Sequence, residues 1–168
     1  MQIYSSGGEM PQRPDQNAMV SEIMQSLRRI FKALHDYSRE VSDNFGITAP
    51  QLWALKTISQ NGSLSQGELS ENMYLHPSTI TGLVDRLDKK GYAERDRNQK
   101  DRRVVNVRLT PKGKALVKKA PNPIQGKMIY GLRNLKKKEL NSIYDSIQKL
   151  VIIMEAENVK VTFFFDQE

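Results

Sequence analysis

The chain has 168 residues, no cysteine, two histidines and a net charge of +7. This length favours one domain with a buried core, while the lack of cysteine excludes disulfides and thiolate metal sites. Two histidines are too few to indicate a metal site, so we expect no metal and no cofactor. No apolar run approaches about 20 residues, and the N-terminal residues lack the apolar stretch typical of a secretory signal, which predicts a cytoplasmic protein that does not bind a membrane.

The positive charge is concentrated in one part of the sequence. Residues 76–119 contain 13 Lys and Arg against 5 Asp and Glu, a balance of +8, so the rest of the chain sums to −1. A focused basic region is typical of nucleic-acid binding, although a merely soluble basic surface would have the same charge balance.

The N-terminal part is predicted to be a tail followed by a long helix. Residues 1–16 are polar, with adjacent glycines and two prolines, and are expected to be disordered. Residues 17–46 form a helix ending at Gly46, because apolar residues recur at intervals of three and four: Val20, Ile23, Leu27, Ile30, Leu34, Tyr37 and Val41. A partner subunit is one place where this helix could bury its apolar stripe.

The next two helices are predicted from their capping boxes. Thr48 and Gln51 form one box, and Ser65 and Glu68 form another. Trp53 lies in the first of these helices and is expected to be a core residue, with a ligand contact as the alternative.

A further helix begins at Pro77, whose ring is preorganised for the first helical position. Its apolar residues share one face: Ile80, Leu83, Val84 and Leu87. The other face carries mainly short polar side chains and one arginine: Ser78, Thr79, Thr81, Gly82, Asp85 and Arg86. Gly91 is predicted to stop the helix.

A β-hairpin with a basic tip follows. Residues 92–95 and 104–109 are predicted to be its strands, with Val105, Val107 and Leu109 on one face. The intervening loop, residues 96–103, has no apolar residue and is rich in Lys and Arg. Behind a helix of short side chains, this loop indicates a surface for phosphate.

The C-terminal part is predicted to be helical with one interruption. Thr110 caps a helix that starts at Pro111, and Pro121 and Pro123 break it. Residues 136–157 form the last long helix, and the apolar tail 159–165 is expected to pack on a second subunit or across the helix ends.

Three segments, residues 77–92, 101–103 and 107–113, resemble the MarR family of bacterial transcriptional regulators. The resemblance extends from the first long helix to the last. It implies a mainly α fold with a small β-hairpin wing: a winged helix-turn-helix DNA-binding domain over 47–119, with dimerisation helices over 17–46 and 120–168. The break at Pro121 and Pro123 departs from the continuous helix usual in the family.

The resemblance implies a homodimer that binds double-stranded DNA. The helix from Pro77 would enter the major groove, where Ser78, Thr79, Thr81 and Arg86 would face the bases and Gly82 would allow close approach. Asp101 and Arg103 match the family's wing motif, in which the arginine enters the minor groove and the aspartate orients it. The remaining wing cations are expected to bind phosphate: Arg97, Lys100 and Arg102.

Two of these residues have a purely structural role as the alternative. Ser78 could serve as a helix cap without contacting DNA, and Asp101 could form a turn without orienting Arg103. The inferred function is a sequence-specific regulator, expected to act as a repressor, that recognises an inverted-repeat operator with half-sites roughly 34 Å apart.

Family members often bind small aromatic or anionic effectors. The residues that could line such a pocket, each of which could instead be an ordinary core residue, are Phe31, His35, Tyr37, Trp53 and Met128.

The alternative function is a winged helix that docks on an acidic protein partner. An enzyme is disfavoured, since the sequence has no glycine-rich phosphate loop, nucleophile motif or ligand cluster.

Overall fold

The computed structural model describes residues 15–97 and 105–159, which form seven helices and three short strands. In chain order the elements are α1 (Gln16–Phe45), α2 (Ala49–Asn61), β1 (Ser63–Ser65), α3 (Gln66–Met73), α4 (Pro77–Lys89), β2 (Ala93–Arg97), β3 (Val105–Leu109), α5 (Pro111–Lys119), α6 (Ile124–Arg133) and α7 (Lys137–Ile153). The predicted fold class, mainly helical with a small antiparallel sheet, is confirmed.

Helix α1 is bounded by two ordinary capping devices. The Asp15 carboxylate accepts a hydrogen bond of 2.7 Å from the Ala18 amide, and Gly46 ends the helix in the left-handed conformation at φ 64°. The helix therefore begins within the segment predicted to be a tail, and residues 1–14 of that tail lie outside the described part of the chain.

Both predicted capping boxes are present. The Thr48 amide donates to Gln51 Oε1 at 3.1 Å and the Gln51 amide donates to Thr48 Oγ1 at 3.4 Å. The Ser65 amide and hydroxyl each donate to Glu68 Oε2 at 2.8 Å. These two hydrogen bonds hold the pKa of Glu68 below its usual value, because they favour the ionised carboxylate.

The sheet contains one strand that the sequence did not predict. Its order is β1-β3-β2, all antiparallel, and Leu64 in β1 pairs with Val107 in β3. Strand β2 also differs from the prediction: it runs over 93–97 rather than 92–95, so Asp96 and Arg97 belong to the strand and not to the loop. Charged residues are tolerated there because the ladder continues through backbone pairing with β3.

The core lies where α2, α3 and α4 pack on the C-terminal half of α1 and on the sheet. Its largest fully buried side chains are Val41, Ile47, Leu52, Leu55, Ile58, Leu69, Met73, Ile80, Val84, Leu87 and Val107. The predicted inward face of the hairpin is correct, since Val107 and Leu109 are buried and Val105 is half-buried.

Three lysines each cap the C-terminus of a helix other than their own. Lys90 Nζ donates to the Gly46 carbonyl at the end of α1 at 2.8 Å, and Lys112 Nζ donates to the Lys90 carbonyl at the end of α4 at 2.9 Å. Lys56 Nζ donates to the Ala120 carbonyl at the end of α5 at 2.8 Å, and burial lowers the pKa of Lys56. A cation at a helix C-terminus also complements the helix dipole.

Helix α5 adds Val117 and its C-cap Ala120 to this core, whereas α6 and α7 contribute little to it. The predicted interruption at Pro121 and Pro123 separates α5 from α6. Helix α7 has no buried residue and ends before 157, because Glu155 adopts a left-handed conformation at φ 52°. The apolar side chains that α1 and α7 leave exposed include Met19, Val20, Ile23, Met24, Ile30, Phe31, Leu140, Ile143, Tyr144 and Ile147. Of the predicted apolar tail, residues 160–165 lie outside the described chain.

Candidate nucleic-acid interface

The turn between α3 and α4 is fixed by Ser70, which is buried. The Leu75 amide donates to the Ser70 carbonyl at 3.1 Å, and the Ser70 hydroxyl donates back to the Leu75 carbonyl. Between them Tyr74 caps α3 in the left-handed conformation, with φ 54° and ψ 41°. This turn sets the direction in which α4 leaves α3.

Helix α4 is capped by His76 and not by Ser78. His76 Nδ1 accepts from the Ser78 amide at 3.3 Å, and the Ser78 hydroxyl lies 2.8 Å from the same nitrogen. The alternative role of Ser78 as the cap is therefore wrong. The cap was not predicted, because histidine is not among the preferred N-cap residues.

The two faces of α4 are separated as its period predicts. Ile80, Leu83, Val84 and Leu87 are buried. On the other face Pro77, Ser78, Thr81 and Arg86 are exposed, and Thr79 and Gly82 are half-buried. The helix thus turns its short polar side chains and one arginine toward solvent.

Gln66 in α3 is a polar neighbour of this face that sequence reasoning missed. The Thr81 hydroxyl lies 3.1 Å from Gln66 Oε1 and 3.1 Å from the Pro77 carbonyl, so one donor serves two acceptors. The contact joins the first turn of α3 to the exposed side of α4. A contact between residues on different helices leaves no local pattern in the sequence.

Two glycines of the motif, Gly82 and Gly113, have opposite environments. A Cβ built on Gly82 has no atom of the described chain within 4 Å, apart from the neighbours that any helix supplies. A Cβ on Gly113 would lie 2.0 Å from the Tyr92 carbonyl oxygen. Gly113 is therefore required by internal packing, whereas the open space at Gly82 leaves room for an external surface.

The wing is fastened to α4 and across its own strands by ion pairs. Arg95 in β2 forms ion pairs with Asp85 and Asp88 of α4, the second at 3.2 Å. Arg108 in β3 lies 3.0 Å from Glu94 and 3.8 Å from Asp96. These two arginines therefore hold the hairpin in place.

Some exposed cations of the basic region have partners within the protein, and others form no ion pair with a described residue. Arg95, Arg108, Lys90 and Lys112 have the partners given above, and Lys112 Nζ also lies 4.5 Å from the centroid of the Tyr92 ring. Arg86 forms no ion pair with any residue that the structure describes, and it is exposed. The charge available to a ligand is thus smaller than the sequence count. Among the described residues it includes Arg86 on α4 and the exposed Lys114, Lys118 and Lys119 on α5.

The predicted wing tip is not part of the described chain. Lys100, Asp101, Arg102 and Arg103 lie in the segment 98–104, outside the described residues, and Arg97 is described only as the last residue of β2.

The five residues predicted to line an effector pocket occupy two kinds of position. Tyr37 and Trp53 belong to the core, whereas Phe31 and Met128 are 55% and 46% exposed and His35 is also exposed. Burial raises the pKa of Tyr37 to about 12, which keeps its phenol neutral. Its hydroxyl and Oε1 of Gln125 are buried with no hydrogen-bond partner among the described residues.

Within residues 15–97 and 105–159, no helix combines the length and apolar character that crossing a membrane requires. No three acidic, histidine or cysteine side chains in these ranges are grouped as a metal site would need.

Comparison with known proteins assigns the fold to a family. The sequence model of the MarR family matches residues 47–105. A Bacillus subtilis (strain 168) protein, named as the uncharacterized HTH-type transcriptional regulator YsmB, is 39% identical over 98 residues, which are 58% of this chain and 67% of that protein. The HTH-type transcriptional repressor MdtR of the same organism is 36% identical over 95 residues, 56% of this chain and 61% of the repressor.

A solved structure extends the similarity beyond residues 47–105. It is that of a MarR family protein from Bacillus stearothermophilus, 32% identical, with a TM-score of 0.51. The match covers 84% of this chain and 99% of that protein. Together with the helix-turn-helix and wing, these similarities show that the chain belongs to the MarR family of winged-helix transcriptional regulators, which are not enzymes.

Proposed function

We propose that the protein is a sequence-specific regulator that binds an inverted repeat in double-stranded DNA as a homodimer and represses transcription. The observation that carries the proposal is the outer face of α4, where Ser78, Thr81 and Arg86 are exposed and Gly82 leaves open space. Short side chains allow the helix backbone to come close to base edges, and arginine pairs with guanine or phosphate. The role of a repressor is suggested by the name of the relative MdtR.

The wing supplies the second half of the proposed contact. We assign Arg103 to a narrow minor groove, oriented by Asp101, with Arg97, Lys100 and Arg102 on phosphates. The ion pairs of Arg95 to α4 support this assignment, because they fasten the hairpin beside the helix that would lie in the major groove.

Dimerisation is proposed for residues 17–46 and 120–168, on either side of the DNA-binding residues 47–119. The support is the run of exposed apolar side chains on α1 and α7, since apolar patches of this extent on a soluble protein mark interaction sites. In a two-fold dimer the α4 helices would lie roughly 34 Å apart, one turn of duplex DNA.

Selection of bound duplexes from a random pool, followed by footprinting, tests binding, symmetry and spacing together. The expected result is an enriched inverted repeat whose half-site centres are about 10 base pairs apart. Arg103→Ala should then weaken binding and reduce the slope of log affinity against log salt. Binding that does not distinguish the inverted repeat from random DNA would instead favour docking on an acidic protein partner.

The dimer is tested by placing a charge on the apolar face of α7. Ile147→Glu should convert the protein to a monomer in sedimentation experiments, because Ile147 is exposed in the single chain and would be buried between subunits. Lys149→Glu, two residues along the same helix, alters charge at an exposed polar position and serves as the control. A wild-type protein that sediments as a monomer at micromolar concentration would refute the dimer.

Release by a small aromatic or anionic effector is the remaining part of the proposal. The buried Tyr37 hydroxyl supports it, since this neutral phenol is a hydrogen-bond donor without an acceptor among the described residues. Phenolic acids are the probe: they should lower the affinity of the wild-type protein for its selected duplex and affect Tyr37→Phe less. Equal affinities with and without the acids would refute this part alone.

A further inference from the structure

Tyr74, at the turn of the helix-turn-helix, contacts a residue on α6. Arg133 donates from Nε at 3.1 Å and from Nη2 at 2.6 Å to the Tyr74 hydroxyl oxygen. The guanidinium carbon lies 5.5 Å from the centroid of the same ring. One arginine therefore engages both the hydroxyl and the face of one tyrosine, across 59 residues of sequence.

The backbone of Tyr74 makes this contact notable. Its left-handed conformation is unfavourable for a residue with a Cβ, and glycine would adopt it without strain. Tyr74 is 62% exposed, so burial in the core does not account for a tyrosine there. Strained backbone conformations cluster at functional positions in proteins, so the strain at Tyr74 indicates that its contact with Arg133 has a functional role.

The C-terminal end of α4 has a similar link. Lys90, the C-cap of α4, donates to the Gly46 carbonyl, the C-cap of α1, and its Nζ also lies 3.5 Å from Gln51 Oε1. Arg133 holds the turn that precedes α4 and Lys90 holds its end. Both links lead to helices outside the helix-turn-helix, α6 and α1.

We propose that Arg133 and Tyr74 are positioning residues for DNA recognition. Their contact fixes the start of α4 relative to α6, and Lys90 fixes the C-terminal end of α4 relative to α1. The arrangement of the two subunits therefore sets the separation of their two α4 helices. This inference rests on the proposed function, in which α1, α6 and α7 form the dimer and α4 enters the major groove.

The test is a double-mutant cycle in the full chain, measured on the duplex that the wild-type protein selects and on duplexes with one base pair more or less between the half-sites. Tyr74→Phe removes the acceptor and keeps the ring, and Arg133→Gln removes the donors. Arg133→Lys keeps the charge without the two-donor fork and serves if the glutamine variant folds poorly. Lys127→Gln, an exposed charge on the same helix, is the matched control.

Each single variant is expected to bind the selected duplex roughly two- to thirtyfold more weakly, and the double variant no more weakly than either single one. The preference for the wild-type half-site spacing should become weaker in Tyr74→Phe, in Arg133→Gln and in the double variant. The thermal midpoints of these variants and the affinity of Lys127→Gln should stay close to those of the wild type. A structural role alone would not alter the spacing preference.

Two results would overturn the inference while leaving the proposed function intact. One is unchanged affinity and spacing preference in Tyr74→Phe and the Arg133 variants. The other is additive losses with a smaller salt slope, which would mean that Arg133 contacts DNA directly. A wild-type protein that selects no duplex would overturn the proposed function, and this inference with it.

Discussion

Gly82 offers a substitution whose effects on stability and on DNA binding should have opposite signs. It lies inside α4, where glycine is unfavourable, and no atom of the described chain outside the helix's own neighbourhood lies within 4 Å of a built Cβ. Gly82→Ala should therefore stabilise the folded protein. If the open space is where DNA approaches, the same methyl group should hinder binding.

The magnitudes follow from helix propensity and from packing. Alanine in a helix interior is favoured over glycine by about 1 kcal/mol, which raises the thermal midpoint by about 2–4 °C for a protein of this size. An extra methyl group in a close-packed contact costs about 1–3 kcal/mol, equivalent to a loss of about five- to 150-fold in affinity.

Gly113→Ala is the control, because it is the same chemical change with the opposite environment. Its Cβ would lie 2.0 Å from the Tyr92 carbonyl oxygen, so the free energy of unfolding should fall by about 1–3 kcal/mol or more. Thermal unfolding at fixed protein concentration and fluorescence anisotropy on the selected duplex measure both quantities. A destabilised Gly82→Ala would refute the open space, and an unchanged affinity would refute the close approach of DNA.

Three further predictions concern the helix-turn-helix and the wing. His76→Ala should destabilise the protein by about 1 kcal/mol through loss of the α4 cap, and His76→Asn should restore most of it; equal urea midpoints for the two variants would contradict the capping role. Arg95→Gln should cost about 0.5–1 kcal/mol by releasing the wing from α4, and unchanged thermal unfolding at low salt would count against it. The pKa of Glu68 is lowered in the folded state, so its contribution to stability is complete above its ordinary pKa of about 4.5 and is lost as the pH falls further. Unfolding of Glu68→Gln followed from pH 7 to pH 3 should depend less on acid than that of the wild type, and parallel curves would refute the shift.

The helix starts were predictable because their capping chemistry is local. Thr48, Ser65 and Thr110 each sit at a fixed distance from the groups they cap, and the structure has all three caps. The role of His76 as the N-cap of α4 was not predicted, because nothing in a single histidine distinguishes a cap from a surface residue. Strand β1 escaped because three residues show no usable period and their pairing partner, β3, is distant in sequence.

The sequence predicted which face of α4 is exposed in the candidate site, but it did not predict the contacts that the side chains of the site make. The period of Ile80, Leu83, Val84 and Leu87 correctly predicted which side of α4 is buried, and hence which side is exposed. Counting charges could not reveal that Arg95 belongs to an internal ion-pair network, since every cation has the same weight in a sequence sum. Such pairings depend on tertiary geometry.

The absence of buried side chains on α7 has a consequence for how this protein responds to dilution. Most of the stability of a helix in a protein comes from packing of its apolar face, so α7 depends on whatever covers its apolar stripe. When that cover is a second subunit, subunit association and the ordering of α7 become one equilibrium, and mass action governs both. We expect the thermal midpoint to rise with protein concentration. At a low concentration in the cell, a larger fraction of the protein should be unfolded and open to degradation.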